Sequence, residues 1–131
     1  MTKPHRLVAV LFGVLVLTGC TQPGYSVLDS EQTADDELPS AFDQLELESF
    51  DVSTSRFSGS YQDTDFYVLL PQGKLAPCLA LAGEGGPVIV CGGDGAVETR
   101  LPDGTRVQLG PEPVVGGRGW AAISDNVRVR D

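Results

Sequence analysis

The sequence predicts an all-β, mainly antiparallel domain. A small disulfide-braced β-sandwich, or a meander or barrel-like sheet, is expected behind a leader and a mostly disordered acidic tether. Three features of the chain carry this reading. From Arg56 onward, short runs rich in Val, Leu, Phe and Tyr alternate with Gly, Pro and Asp, the spacing of strands and turns. Eleven of the 16 glycines fall within residues 83–119, which leaves little room for helix. Two cysteines, Cys78 and Cys91, fall opposite each other when the run between them is folded as a hairpin.

The chain begins with a basic patch, Lys3, His5 and Arg6, followed by LVAVLFGVLVL from Leu7 to Leu17, eleven residues without a polar side chain. A bilayer span needs about 20 apolar residues, so the run fits the hydrophobic region of a secretory signal. It closes on Leu17-Thr18-Gly19-Cys20. This segment resembles the lipobox of bacterial lipoproteins: an aliphatic residue, two small residues, then Cys. The resemblance implies cleavage between Gly19 and Cys20 and a diacylglyceryl group on the Cys20 sulfur. It places the protein on the outer face of the cell membrane. The residue types suit that chemistry. A thiolate is the nucleophile for a thioether, and two acyl chains hold a protein where one alone is marginal. The expected organisation is a signal peptide over 1–19, a lipidated Cys and acidic tether over 20–55, and a small β domain over 56–131.

Charge and composition exclude several activities. With 18 acids, nine Lys and Arg and a pI near 4.4, the chain carries −9 and is unsuited to nucleic acid. Loss of residues 1–19 removes Lys3 and Arg6, so seven bases stand against 18 acids and the mature charge is −11. The same cut removes His5, the only histidine. Ser-His-Asp and Cys-His catalysis are then excluded, along with the commonest zinc ligand. No cofactor is expected. With Cys20 taken by lipid, Cys78 and Cys91 remain as a pair in an oxidising compartment, which favours a disulfide. They do not form a C-x-x-C motif, so the bridge is expected to be structural, not redox-active.

Residues 21–55 hold nine acids and no Lys or Arg. Such a segment reads as a solvated spacer. As a flexible coil its 35 residues span roughly 30–35 Å, enough to hold a domain off the membrane. No spacing in it matches a calcium loop. Within it, Ser40-Ala41-Phe42-Asp43 reads as a short helix start, with Ser40 as N-cap and Asp43 at the third position. Phe42, Leu45 and Phe50 are the residues that would dock this turn on the domain.

Three hairpins follow from pairing arithmetic. The first turns at Gln62-Asp63-Thr64-Asp65 and pairs Tyr61 with Phe66, Gly59 with Val68 and Phe57 with Leu70. Tyr67 and Leu69 then point the other way, so the strand over 66–70 is apolar on both sides and central. The second hairpin turns at Gly83-Glu84-Gly85-Gly86 and sets Cys78 against Cys91. The third has a three-residue loop, Pro102-Asp103-Gly104, which puts Val97, Thr99, Leu101, Thr105, Val107 and Leu109 on one face. Glu98, Arg100, Arg106 and Gln108 share its other face. Two closing strands are read at Gly119–Ile123 and Val127–Arg130, the second alternating apolar with basic. The single tryptophan, Trp120, is the residue singled out as a partner contact.

Several short motifs occur together: Ser55-Arg56-Phe57 with Gly59, Tyr67-Val68, Cys78-Leu79 with Cys91, and Leu101-Pro102-Asp103-Gly104. Together they resemble small secreted lipoproteins of high-GC Gram-positive bacteria over roughly residues 50–131. That resemblance implies the layout and no activity. The expected role is a non-catalytic surface module that binds a protein or envelope polymer. The alternative is a small-ligand or cation carrier, with Asp94 and Asp103 in glycine loops as candidate ligands. The loops at Gly83–Gly86 and Gly92–Gly95 join strands and carry acids, so neither reads as a phosphate loop.

Overall fold

The alternating pattern from Phe50 onward yields eight strands in a computed structural model that describes residues 24–73, 76–93 and 97–131. They are β1 (Phe50–Tyr61), β2 (Thr64–Pro71), β3 (Cys78–Ala82), β4 (Val88–Cys91), β5 (Val97–Arg100), β6 (Arg106–Leu109), β7 (Trp120–Ala122) and β8 (Val127–Arg130). They form two antiparallel four-stranded sheets. The first is a meander in the order β1-β2-β3-β4. The second runs β5-β6-β8-β7, so the last strand inserts between β6 and β7. Phe66, Val68, Leu79 and Leu81 of the first sheet share one buried core with Val97, Val107, Leu109, Val127 and Val129 of the second. The sheets therefore pack face to face as a sandwich. The all-β, disulfide-braced expectation holds.

The second and third hairpins follow the expected registers. Cys78 pairs with Cys91 and Leu79 with Val90. The two cysteines are bridged, with Cα atoms 4.4 Å apart, the spacing of a pair without backbone hydrogen bonds between its members. Val97 pairs with Leu109 and Arg100 with Arg106. The Leu101 N–H donates to the Thr105 carbonyl at 2.8 Å across the three-residue loop, and Gly104 takes φ +91°. As expected, β2 is buried on both faces.

The first hairpin corrects the expected register. Its loop is only Gln62-Asp63, so Tyr61 pairs with Thr64 and Ser60 with Asp65. An irregularity between Phe57 and Ser60 then shifts the pairing, so that Phe57 lies opposite Tyr67 and Arg56 opposite Val68. Gly59, at φ +98°, makes the bulge possible. A second shift lies between Asp51 and Arg56, where the Thr54 hydroxyl accepts the Leu70 N–H at 2.8 Å. The bulges turn Phe57 to the outer side of the first sheet, edge-on to Tyr67 with ring centres 5.7 Å apart.

The acidic segment also departs from expectation. Its described part, residues 24–49, is docked on the sheets, and β1 begins at Phe50, before the boundary expected at residue 56. It forms three 3₁₀ turns, Ser26–Asp29, Ala34–Asp36 and Ser40–Gln44. Tyr25 enters the core between the sheets. Phe42 is fully buried on the outer side of the first sheet with Tyr67, Leu69, Cys78 and Ala80, flanked by Leu38, Leu45, Leu47 and Phe50. The cause is the two-sided strand β2: Tyr67 and Leu69 need an apolar cover, and these residues supply it. Arg56 fixes the segment from below. It is 7 % exposed, and its guanidinium donates to the carbonyls of Ser30, Ser53 and Ser55. The expected docking by Phe42, Leu45 and Phe50 holds, but Ser40 is the first residue of its turn and not the cap; Pro39 precedes it without a side-chain cap.

Candidate functional site

Strand pairing in the second sheet builds a face that composition does not reveal. Arg100 lies opposite Arg106, Arg106 opposite Arg130, and Arg130 opposite Trp120. Directly opposed residues project from the same side of a sheet. One row across all four strands is therefore Arg100, Arg106, Arg130, Trp120. The neighbouring row is Glu98, Gln108, Arg128, Ala122. Val97, Val107, Leu109, Val127 and Val129 point the other way, into the core. The outer face thus carries four arginines and one acid.

The second row is connected within itself and to the first. Glu98 accepts Arg106 Nε at 2.7 Å, the one ion pair among the described residues. Arg128 Nε donates to Gln108 Oε1 at 2.7 Å, and its Nη1 to the Val115 carbonyl at 2.9 Å. The Arg128 guanidinium lies 4.5 Å from the Trp120 ring centre and that of Arg130 lies 6.0 Å from it, both within cation–π range. Arg100 and Arg130 are exposed. Among the described residues neither guanidinium has an ion pair. The loop after β6 overhangs this face and makes an open groove of about 520 Å³, lined by Glu98, Gln108, Arg128, Pro113, Val114 and Val115.

The start of the described chain lies at the end of the same sheet. The Gly24 carbonyl accepts the Glu112 N–H at 2.7 Å and Asn126 Nδ2 at 2.7 Å. Asn126, 1 % exposed, also donates to the Gly110 carbonyl at 3.0 Å. The Glu112 carboxylate in turn accepts Ser26 N and Ser26 Oγ.

The residues singled out from sequence are distributed as follows. Cys78 and Cys91 are joined, the first buried and the second exposed. Trp120 sits half-buried on the edge strand of the arginine face. Gly19, Cys20 and Asp94 lie outside the described residues. Asp103 accepts the Thr105 N–H at 2.9 Å, and its hydrogen bonds with Thr105 hold its carboxyl below the ordinary range. That carboxylate serves the turn. Among the described residues no group of three His, Cys, Asp or Glu is placed to hold a metal ion.

Sequence reasoning found the polar side of the β5–β6 hairpin and the basic alternation of Val127–Arg130. It did not join them, because nothing local signals that β8 inserts next to β6. No family model matches the chain, and no curated protein or solved structure matches it significantly.

Proposed function

We propose that this chain is a lipid-anchored extracytoplasmic protein with a non-catalytic binding role, and that its contact surface is the arginine face around Trp120. The lipobox-like Leu17-Thr18-Gly19-Cys20 supports the anchor and the extracytoplasmic location. The contact surface is carried by one observation: four arginines and the only tryptophan share the outer side of one sheet in a chain of net charge −9. Arginine and tryptophan are the residues enriched where binding energy concentrates. The partner that suits them presents acidic groups. The absence of histidine after residue 19 supports the non-catalytic reading.

Crosslinking on intact source cells, read by mass spectrometry, tests this. The native chain should enrich a reproducible envelope neighbour, lipid or protein, with crosslinks mapping to the β7–β8 side. Cys20→Ser should release the protein from the membrane fraction and lose that neighbour. Unchanged membrane pelleting of Cys20→Ser refutes the anchor, and crosslinks confined to the acidic layer refute the contact surface.

A further inference from the structure

We propose that the arginine face docks on the anionic headgroup layer of the membrane that carries the protein. This inference rests on the lipid anchor and contact face proposed above and names what that face meets.

The first support is reach. Only residues 21–23 separate Cys20 from Gly24, whose carbonyl is fixed by Glu112 and Asn126 at the end of the second sheet. Four residue steps extend to about 14 Å at most. A free 35-residue coil would instead allow the roughly 30–35 Å expected for a solvated spacer. With the acidic segment docked, the anchor holds the body against the bilayer. Asn126 immediately precedes β8, so the link enters at the Leu109–Val127 end of the second sheet, nearest the row that holds Arg128, and the row of Arg100, Arg106, Arg130 and Trp120 lies at the far end of the same short strands.

The second support is the direction of charge. The second sheet's outer face is one side of the sandwich. The layer that covers the first sheet is the other, and it exposes Glu37, Asp43, Glu46 and Glu48. An anionic surface acts over about one screening length, roughly 8–10 Å. Within about 14 Å of such a surface, the body turns its arginines inward and its acids outward.

The third support is the arrangement of the side chains. Arg100, Arg106 and Arg130 stand directly opposite one another on adjacent strands. Like charges so placed disfavour the sheet, and Glu98 answers only Arg106. The guanidiniums of Arg100 and Arg130, without an ion pair among the described residues, suit phosphate oxygens, which they bind in pairs. Trp120 completes the row at the sheet edge. Its amphipathic ring suits the headgroup level of a bilayer.

The only tryptophan is the reporter. A chain beginning at Cys20 has one free thiol, because Cys78 and Cys91 are bridged. It can be coupled through Cys20 to maleimide lipid in vesicles of phosphatidylcholine, with or without phosphatidylglycerol. Trp120 fluorescence is then read against a headgroup-level quencher lipid. Quenching should be strong on phosphatidylglycerol vesicles and weak on phosphatidylcholine alone. It should relax at about 0.5 M salt, where the screening length falls to roughly 4 Å. Arg100→Gln and Arg130→Gln, at positions without an ion pair among the described residues, should each shift the docked population about fivefold toward the undocked form. Equal quenching on the two vesicle types, or none on either, overturns the inference. So does a Trp120 response to soluble polyphosphate or polyglutamate that phosphatidylglycerol vesicles fail to produce, which would assign the face to a polymer or an acidic protein. Mass spectrometry of Cys20 from source cells separates the two levels. An unlipidated Cys20 overturns the anchor and this inference together. A lipidated Cys20 with Trp120 unquenched overturns this inference alone.

Discussion

Replacing Phe42 by Ala should release the acidic layer while leaving the sandwich behind. Phe42 is fully buried, and it meets the Tyr67 ring edge-on with centres 6.4 Å apart. Truncating a buried Phe costs about 3–5 kcal/mol, of which an edge-to-face ring pair accounts for about 0.5–1.5 kcal/mol. That loss falls first on the layer itself, because Leu38, Leu45 and Leu47, its other apolar contacts there, are only half-buried. At about 1.4 kcal/mol per decade, the undocked population should rise between roughly a hundredfold and a few thousandfold. Glu37, Glu46 and Glu48 lie within the released stretch, so cleavage by a glutamate-specific protease reads it directly. When reclosing is faster than cutting, the rate tracks the open population. Phe42→Leu keeps most of the volume and should fall much nearer the native rate. Cleavage of Phe42→Ala within a few-fold of the native chain would refute the reasoning. It would mean that the stretch around Phe42 is the solvated spacer its composition suggests.

Three further outcomes are expected. The Cys78–Cys91 bridge closes a short loop, with a sequence separation of 13. Replacing both cysteines by Ser should therefore cost about 3 kcal/mol and lower the melting midpoint by roughly 10–20 °C; an unchanged midpoint in calorimetry would show the bridge to be incidental. Burial raises the Asp36 carboxyl, but hydrogen bonds from the Thr33 and Phe57 N–H groups and the Thr33 hydroxyl, with Arg56 nearby, outweigh it and hold it below its ordinary value of 3.8. A group depressed on folding adds stability above its unfolded value and loses it as pH falls through the lower folded value. Stability should thus drop below about pH 4 in the native chain and fall less steeply in Asp36→Asn, as read by denaturant midpoints across that range. Gly59→Ala would place a methyl 2.7 Å from Ile123 Cγ2 at φ +98°. It should cost about 1–3 kcal/mol, and a neutral effect in chemical denaturation would contradict the bulge.

What the sequence showed and what it hid have separate physical causes. The second and third hairpins carry their register in the chain, through two cysteines that must meet and a Pro102-Asp103-Gly104 loop whose length sorts apolar from polar faces. The first hairpin carries no such mark. Its register depends on bulges at Gly59 and around Thr54, and each bulge reverses which side chains face inward. A strict alternation rule therefore placed Phe57 on the wrong side and gave no reason for Arg56 to be buried. The acidic layer was hidden by averaging. Nine acids in residues 21–55 outweigh Tyr25, Leu38, Phe42, Leu45 and Leu47 in any compositional measure. Yet a strand with Phe66 and Val68 on one side and Tyr67 and Leu69 on the other requires two covers. One sheet supplies one of them, so the second had to come from elsewhere in the chain, and the apolar residues of the acidic segment were available. The same averaging applies to charge. A net charge of −9 describes the whole molecule, whereas recognition depends on the potential at one face. Here strand order gathers Arg100, Arg106, Arg128 and Arg130 on one face of the sandwich. The layer over the first sheet exposes Glu37, Asp43, Glu46 and Glu48 on another. The two hidden features share one origin: long-range pairing and packing, which composition does not record, set what each outer face of the sandwich presents.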